Sequence, residues 1–438
     1  MSGEEHYLFR HALMRDVAYL LHPVTLRGTL HRIALELTEA EIHGSLPEAS
    51  SRLTTDPHPV DGMAAGLAYH ARFAQDEPYA DLEGLRRRER NYLVIAGNHA
   101  ERTFDNAAAI DAWRRLVDLA PAPARFWVLH RLARALRAAD QVEDAERAAR
   151  EAVDSFGDDS DHEQRAIGLG ELGLVLWLRG ADAQALEVLQ EALVEARDVG
   201  DRMEGNSIGM LAMVYEQMHR LPEAEEHYDN AIALLRAAGD QRNEGVFLGN
   251  LAGLYIEQGR HEPARKLLLE SLKVSRAVGD RLTEGINLAN LGALYAELGQ
   301  HQEALDCLEP AMRIHREVGN RRSTGMALEY RSMARKSAAD FAGAREDLLR
   351  ALAIHREVGN RRSEASTLAQ LAIVELKLDA TADAAEHWLC GSGVLRGLGD
   401  TALETEYRAE MLEACKEAGV PPLDSAAGFH QPAGPDDR

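Results

Sequence analysis

Gly239, Gly279, Gly319, Gly359 and Gly399 stand 40 residues apart, and each is followed by Asp or Asn. Gly157-Asp158 and Gly200-Asp201 carry the same pairing toward the N-terminus. A second small residue keeps the step at Gly205, Gly245, Gly285, Gly325 and Ala365. The segment IHREVGNRRS occurs twice without change, at 314–323 and at 354–363. A fixed period of this size means one supersecondary unit copied along the chain, each copy burying its apolar face against its neighbours.

Each unit reads as two helices. In 285–318, Leu288, Leu291, Leu294, Tyr295 and Leu298 follow the three-to-four spacing of one apolar stripe. Gly299 ends that helix, because glycine takes the left-handed C-cap conformation at little cost. Ala304, Leu305, Leu308, Ala311 and Ile314 make the second stripe. Gly319 stops it, and Asn320 is placed to cap the next helix. The apolar residues, 45% of the chain, are mostly Ala and Leu, and aromatics are only 5%. That balance favours packed helices over strands. The fold expected is an all-α, right-handed superhelical solenoid of antiparallel helix pairs.

Leu291, Gly292 and Tyr295, then Gly299, Glu303 and Ala304, then Leu308 and Ala311 resemble the tetratricopeptide signature. The usual repeat is about 34 residues, and this one resembles the longer 40-residue variant. The same positions recur at Leu251, Tyr255, Gly259 and Ala264, and at Leu211, Tyr215 and Ala224. About eight units are expected from residue 91 within a repeat array at 63–400, closed by a capping helix at 401–419 and a disordered tail at 420–438. Residues 1–62 are different. Their run FRHALMRDVAY, followed by LHRIA, resembles the linker behind the nucleotide-binding module of bacterial STAND-type signalling ATPases. Those proteins are often fused to cyclases, kinases or transcriptional regulators. A phosphate-binding loop needs G-x-x-x-x-G-K-[ST]. The sequence contains none, and only five lysines, so ATP binding is not expected.

Catalytic patterns are equally missing: there is no HExxH, no GxSxG and no GxGxxG after a strand. His315 and His355 share one repeat position, as do His261 and His301, which marks them as surface or inter-helix residues rather than metal ligands. Cys307, Cys390 and Cys415 have no CxxC spacing, so neither a disulfide framework nor a thiolate zinc site is expected. Cys307 and Cys390 read as small core fillers. No metal, cofactor or enzymatic activity is anticipated. No apolar run approaches the roughly 18 residues of a membrane span, and charges occupy the N-terminus where a signal peptide would be apolar. Together these features point to a cytoplasmic protein with no membrane association. The formal charge of −23 repels phosphate backbones, which argues against general nucleic-acid binding and for a basic protein or peptide partner.

The resemblance also implies where a partner would lie. First helices line the concave groove of such solenoids. Counting the leucine before the unit glycine as seventh, the sixth position gives Met210, Asn250, Asn290, Tyr330 and Gln370. The ninth adds Met213 and Met333, and the second adds Asn206. Asparagine and glutamine offer donor and acceptor together and can clamp a peptide backbone, while methionine gives an adaptable apolar surface. A purely interhelical role for the asparagines is the competing reading. Unit 322–358 departs from the pattern: Arg331 takes the leucine position and Arg335 the tyrosine position, and Glu375 follows in the next unit. An ion pair between Arg335 and Glu375 is expected there, with a hinge or an anion pocket as the functional alternative. The function expected is a protein-interaction scaffold in bacterial signal transduction, its partner a peptide, a protein, or a signalling ATPase, kinase or cyclase. The sensor half of a split or truncated signalling ATPase or transcriptional regulator, or a small-ligand sensor, is the rival reading.

Overall fold

The protein is described by a computed structural model at residues 22–42, 58–156 and 161–423. Residues 7–21 of the linker-like segment, Gly157-Asp158 and the tail from 424 lie outside the described residues. All nineteen α-helices of the described residues belong to two compact units, 1–198 and 199–438.

In the first unit, α1 (Val24–Glu41) packs on α2 (Ala64–Ala74), which packs on α3 (Leu82–Arg102). Three helix pairs follow: α3 with α4 (Asn106–Leu119), α5 (Ala122–Ala138) with α6 (Val142–Asp154), and α7 (His162–Leu178) with α8 (Asp182–Val199). Leu67-Ala68-Tyr69-His70, which resembles the start of such arrays, lies within α2.

The second unit holds five pairs and a closing helix. The pairs are α9 (Asp201–Gln217) with α10 (Leu221–Ala238), α11 (Gln241–Glu257) with α12 (His261–Ala277), α13 (Arg281–Glu297) with α14 (His301–Glu317), α15 (Arg321–Ser337) with α16 (Phe341–Glu357), and α17 (Arg361–Lys377) with α18 (Thr381–Leu398). Helix α19 (Thr401–Ala418) follows. Each partner packs on the next in sequence, as expected for a solenoid of helix pairs.

The glycine junctions explain this regularity. Gly279 has φ of +69°, a left-handed conformation that ends α12. The N–H of Asp280 donates back to the Ser275 carbonyl at 2.8 Å, and the Asp280 carboxylate then accepts from the Thr283 N–H at 3.2 Å. One residue pair thus stops one helix and caps the next. Asn320 and Asn360 repeat the cap on Ser323 and Ser363.

Small residues let the helices approach. A Cβ at Gly292 would sit 2.5 Å from Leu308, and one at Gly285 would sit 2.9 Å from the His315 ring. His315 and His355 are therefore interhelical and fully buried, each against the unit glycine of the preceding first helix. Burial holds the His315 imidazole neutral, its pKa pushed down to about 4. Of the cysteines, Cys415 is buried and Cys307 half-buried, but Cys390 is exposed and fills no core. It lies two residues from each of the buried Trp388 and Ser392, on the opposite side of α18.

Candidate functional site

In the second unit the first helices touch one another in succession, α9 to α11, α11 to α13 and α13 to α15. Asn206, Met210, Met213, Asn250, Asn290, Tyr330, Met333 and Gln370 are all half-buried on these helices and α17. Half-burial is what a stacked face leaves to residues on its solvent side. Asn206 and Asn290 make no side-chain hydrogen bond among the described residues.

Two of the eight have internal polar neighbours. Asn250 lies near the hydroxyl of Tyr228, a buried residue of α10. The Gln370 amide lies 3.4 Å from both Ser366 Oγ and Tyr407 Oη, so it ties α17 to the closing helix.

The electrostatics come from Glu257 and Glu297, which share one repeat position, and from Glu216. Tyr228 donates to Glu216 at 2.5 Å. Burial, and then the Glu257 carboxylate, push the Glu216 pKa up to about 7, against the opposing effect of that hydrogen bond. Burial also raises Glu297. The Tyr330 phenol is pushed up to about 12, by burial and then by Glu329, Glu297 and Glu257. Acidic groups thus gather around Tyr228 and Tyr330. For Glu216 the one sequence signal was Tyr228, which occupies the position held by Leu268, Leu308 and Leu348 in later units. Glu216 carried no signal of its own, because carboxylates are abundant everywhere in this chain.

The expected pair of Arg335 with Glu375 is not formed. Arg335 instead reaches Asp347 at 3.1 Å and donates to the Gly343 carbonyl at 3.0 Å. Glu375, fully buried, accepts from Arg345 at 3.0 Å and contacts His387 at 2.7 Å. The reason is reach. Both charged residues point toward second helices, and each finds an opposite charge there before it can meet the other. Asp347 also grips Arg331 through two nitrogens, at 2.9 and 2.5 Å. The charge in the leucine position is therefore matched by a buried carboxylate in the facing second helix.

Residues 205–277 and residues 288–318 each match the tetratricopeptide repeat family. These two stretches are tetratricopeptide repeats. No curated protein sequence matches it. Among solved structures, a Rap protein complexed with competence and sporulation factor is similar at 10% identity, over 86% of this chain and 99% of that one, with a TM-score of 0.56. The Cut9-Hcn1 assembly of the APC/C is similar at 12% identity, over 78% and 62%, with a TM-score of 0.52. A Signal Transduction ATPase with Numerous Domains from Pyrococcus horikoshii, which carries a tetratricopeptide repeat sensor, is similar at 15% identity with a TM-score of 0.50. This repeat protein covers 79% of its own length in that match and 55% of the ATPase chain. At such identities the likeness is one of fold. Tetratricopeptide repeats support a protein-interaction module. No described helix is long and apolar enough to cross a membrane.

Proposed function

We propose that residues 199–438 bind an extended, basic peptide segment along the first-helix face, without catalysis. The observation that carries this reading is that carboxylates and half-buried amides share the first helices. Asn206 and Asn290 supply unsatisfied donor and acceptor groups, Met210, Met213 and Met333 supply apolar contact, and Glu216, Glu257 and Glu297 supply negative charge. Peptide cations would meet carboxylates whose own mutual repulsion they relieve. The setting proposed is cytoplasmic bacterial signalling, where the module would govern a partner by holding a segment of it.

A second reading makes the chain the sensor part of a signalling ATPase. It draws on the linker-like run at 7–38 and on the fold shared with the sensor-bearing ATPase above. Co-purification followed by mass spectrometry of proteins and metabolites separates the two, since only the second requires a P-loop ATPase in the complex.

The direct test is fluorescence anisotropy with Arg/Lys-rich labelled decapeptides. Asn206→Ala together with Asn290→Ala should weaken binding by about thirtyfold, for two lost backbone clamps of about 1 kcal/mol each. The melting temperature should stay unchanged, because neither amide bonds within the fold. Equal affinity of variant and parent would remove the groove from consideration.

A further inference from the structure

In residues 199–438 each second helix carries an arginine in its last turn: Arg236, Arg276, Arg316, Arg356 and Arg396. Four of these meet a largely buried glutamate in the first turn of the next helix. The Nε distances are 2.7 Å to Glu244, 2.8 Å to Glu284, 2.9 Å to Glu364 and 3.3 Å to Glu404. Glu284 and Glu364 each take a second arginine, Arg281 and Arg361, at 2.6 Å.

The fifth junction lacks the carboxylate. Thr324 stands in its place, and its hydroxyl donates to the Asn320 carbonyl at 2.8 Å. The comparison is a clean one, because the ten residues before Thr324 are identical to the ten before Glu364. Arg316 has the same sequence context as Arg356 but no carboxylate partner among the described residues; its Nε donates to the Met312 carbonyl at 3.2 Å. Arg321 retains Glu357 but not the second carboxylate that Arg281 enjoys.

A cleft of about 390 Å³ opens at this point. Helices α14, α15 and α16 line it. Arg316, Arg321, Arg331 and Arg350 line it, with Glu309 as the one carboxylate among the described lining residues. Arg331 is held in place from behind by the buried Asp347, and its remaining nitrogen meets Glu309 at 2.6 Å. Arg350 is exposed, with Glu346 at 2.6 Å. None of the amides and methionines of the first-helix face takes part.

We propose that this cleft binds a multiply charged oxyanion, carried on a phosphate- or carboxylate-bearing small molecule. Guanidinium forks match both groups in geometry. The volume is that of a small-ligand site. The missing glutamate is the carboxylate whose place the ligand takes between Arg316 and Arg321.

Calorimetric titration of the full chain with pyrophosphate and with citrate tests this. At least one should bind saturably, more weakly as salt is added. Preference for pyrophosphate assigns a phosphate ligand, and preference for citrate a carboxylate one. Thr324→Glu restores the carboxylate of the other junctions, so it should weaken binding by about tenfold or more without lowering the melting temperature. Arg316→Gln, at an exposed position, should give the same loss if the first variant fails to fold. Absence of saturable binding to the parent, or equal affinity in a folded variant, overturns the proposal.

Discussion

Asp347 shows how one residue can both satisfy and endanger its surroundings. It is fully buried and holds Arg331 through two hydrogen bonds and Arg335 at 3.1 Å. Its removal leaves a guanidinium that is 8% exposed without its main counter-charge. Asp347→Ala should therefore cost about 3–5 kcal/mol in urea unfolding. Replacing both charges is different. The unit at 242–278 has Leu251 and Leu267 at these two positions, so Arg331→Leu with Asp347→Leu reproduces a combination the fold already uses. The double variant should unfold within about 1 kcal/mol of the parent, or above it. A double variant as unstable as Asp347→Ala would show that the pair is not an exchangeable insertion into an apolar position.

At the scale of the helix and its ends, the glycine beat was legible because the left-handed turn restricts the choice of residue. The turns inside some units hide the same conformation behind other side chains. Gly259 and Gly299 end α11 and α13 at φ +69° and +70°, but the corresponding residues His219, Ala339 and Asp379 have φ between +56° and +61°. Ala339 is the plainest case, since alanine has no side-chain polar group to offset the strain. Ala339→Gly should stabilise the protein by about 1 kcal/mol, the left-handed cost less glycine's extra chain entropy. A rise in the thermal midpoint checks this; a fall would mean that the turn is not strained at this residue. The same contrast explains what the sequence could disclose about the site. Periodicity places Asn206, Asn250 and Asn290 on one face, because face follows from helix register alone. It does not choose partners. Arg335 is drawn to Asp347, and Glu375 to Arg345, by side chains whose reach across helices no linear pattern encodes. The missing glutamate at Thr324 was visible in the sequence all along. It became meaningful only when the other four junctions showed what that position does.

A solenoid holds itself together by neighbour contacts, so its last unit depends on whatever covers its open face. In the second unit that cover is α19 and the short segment after it. Met411, Ala414, Cys415 and Leu423 close over Trp388, Ile373 and Leu376, with Tyr407 and Val420 at the edge. Burying Met411 and Leu423 alone contributes about 1.5–3 kcal/mol each. A chain ending at Asp400 loses this and exposes the indole of Trp388. Nearest-neighbour coupling dictates where the loss appears. Hydrogen exchange should show reduced protection in α17 and α18, whose apolar face is uncovered, and largely retained protection in α11 to α14, which keep both neighbours. Dye binding to the new apolar surface should rise in parallel. If protection instead fell equally from α9 to α18, these pairs would unfold as one cooperative block, and the substitutions at Asp347 and Ala339 would destabilise or stabilise every unit rather than their own.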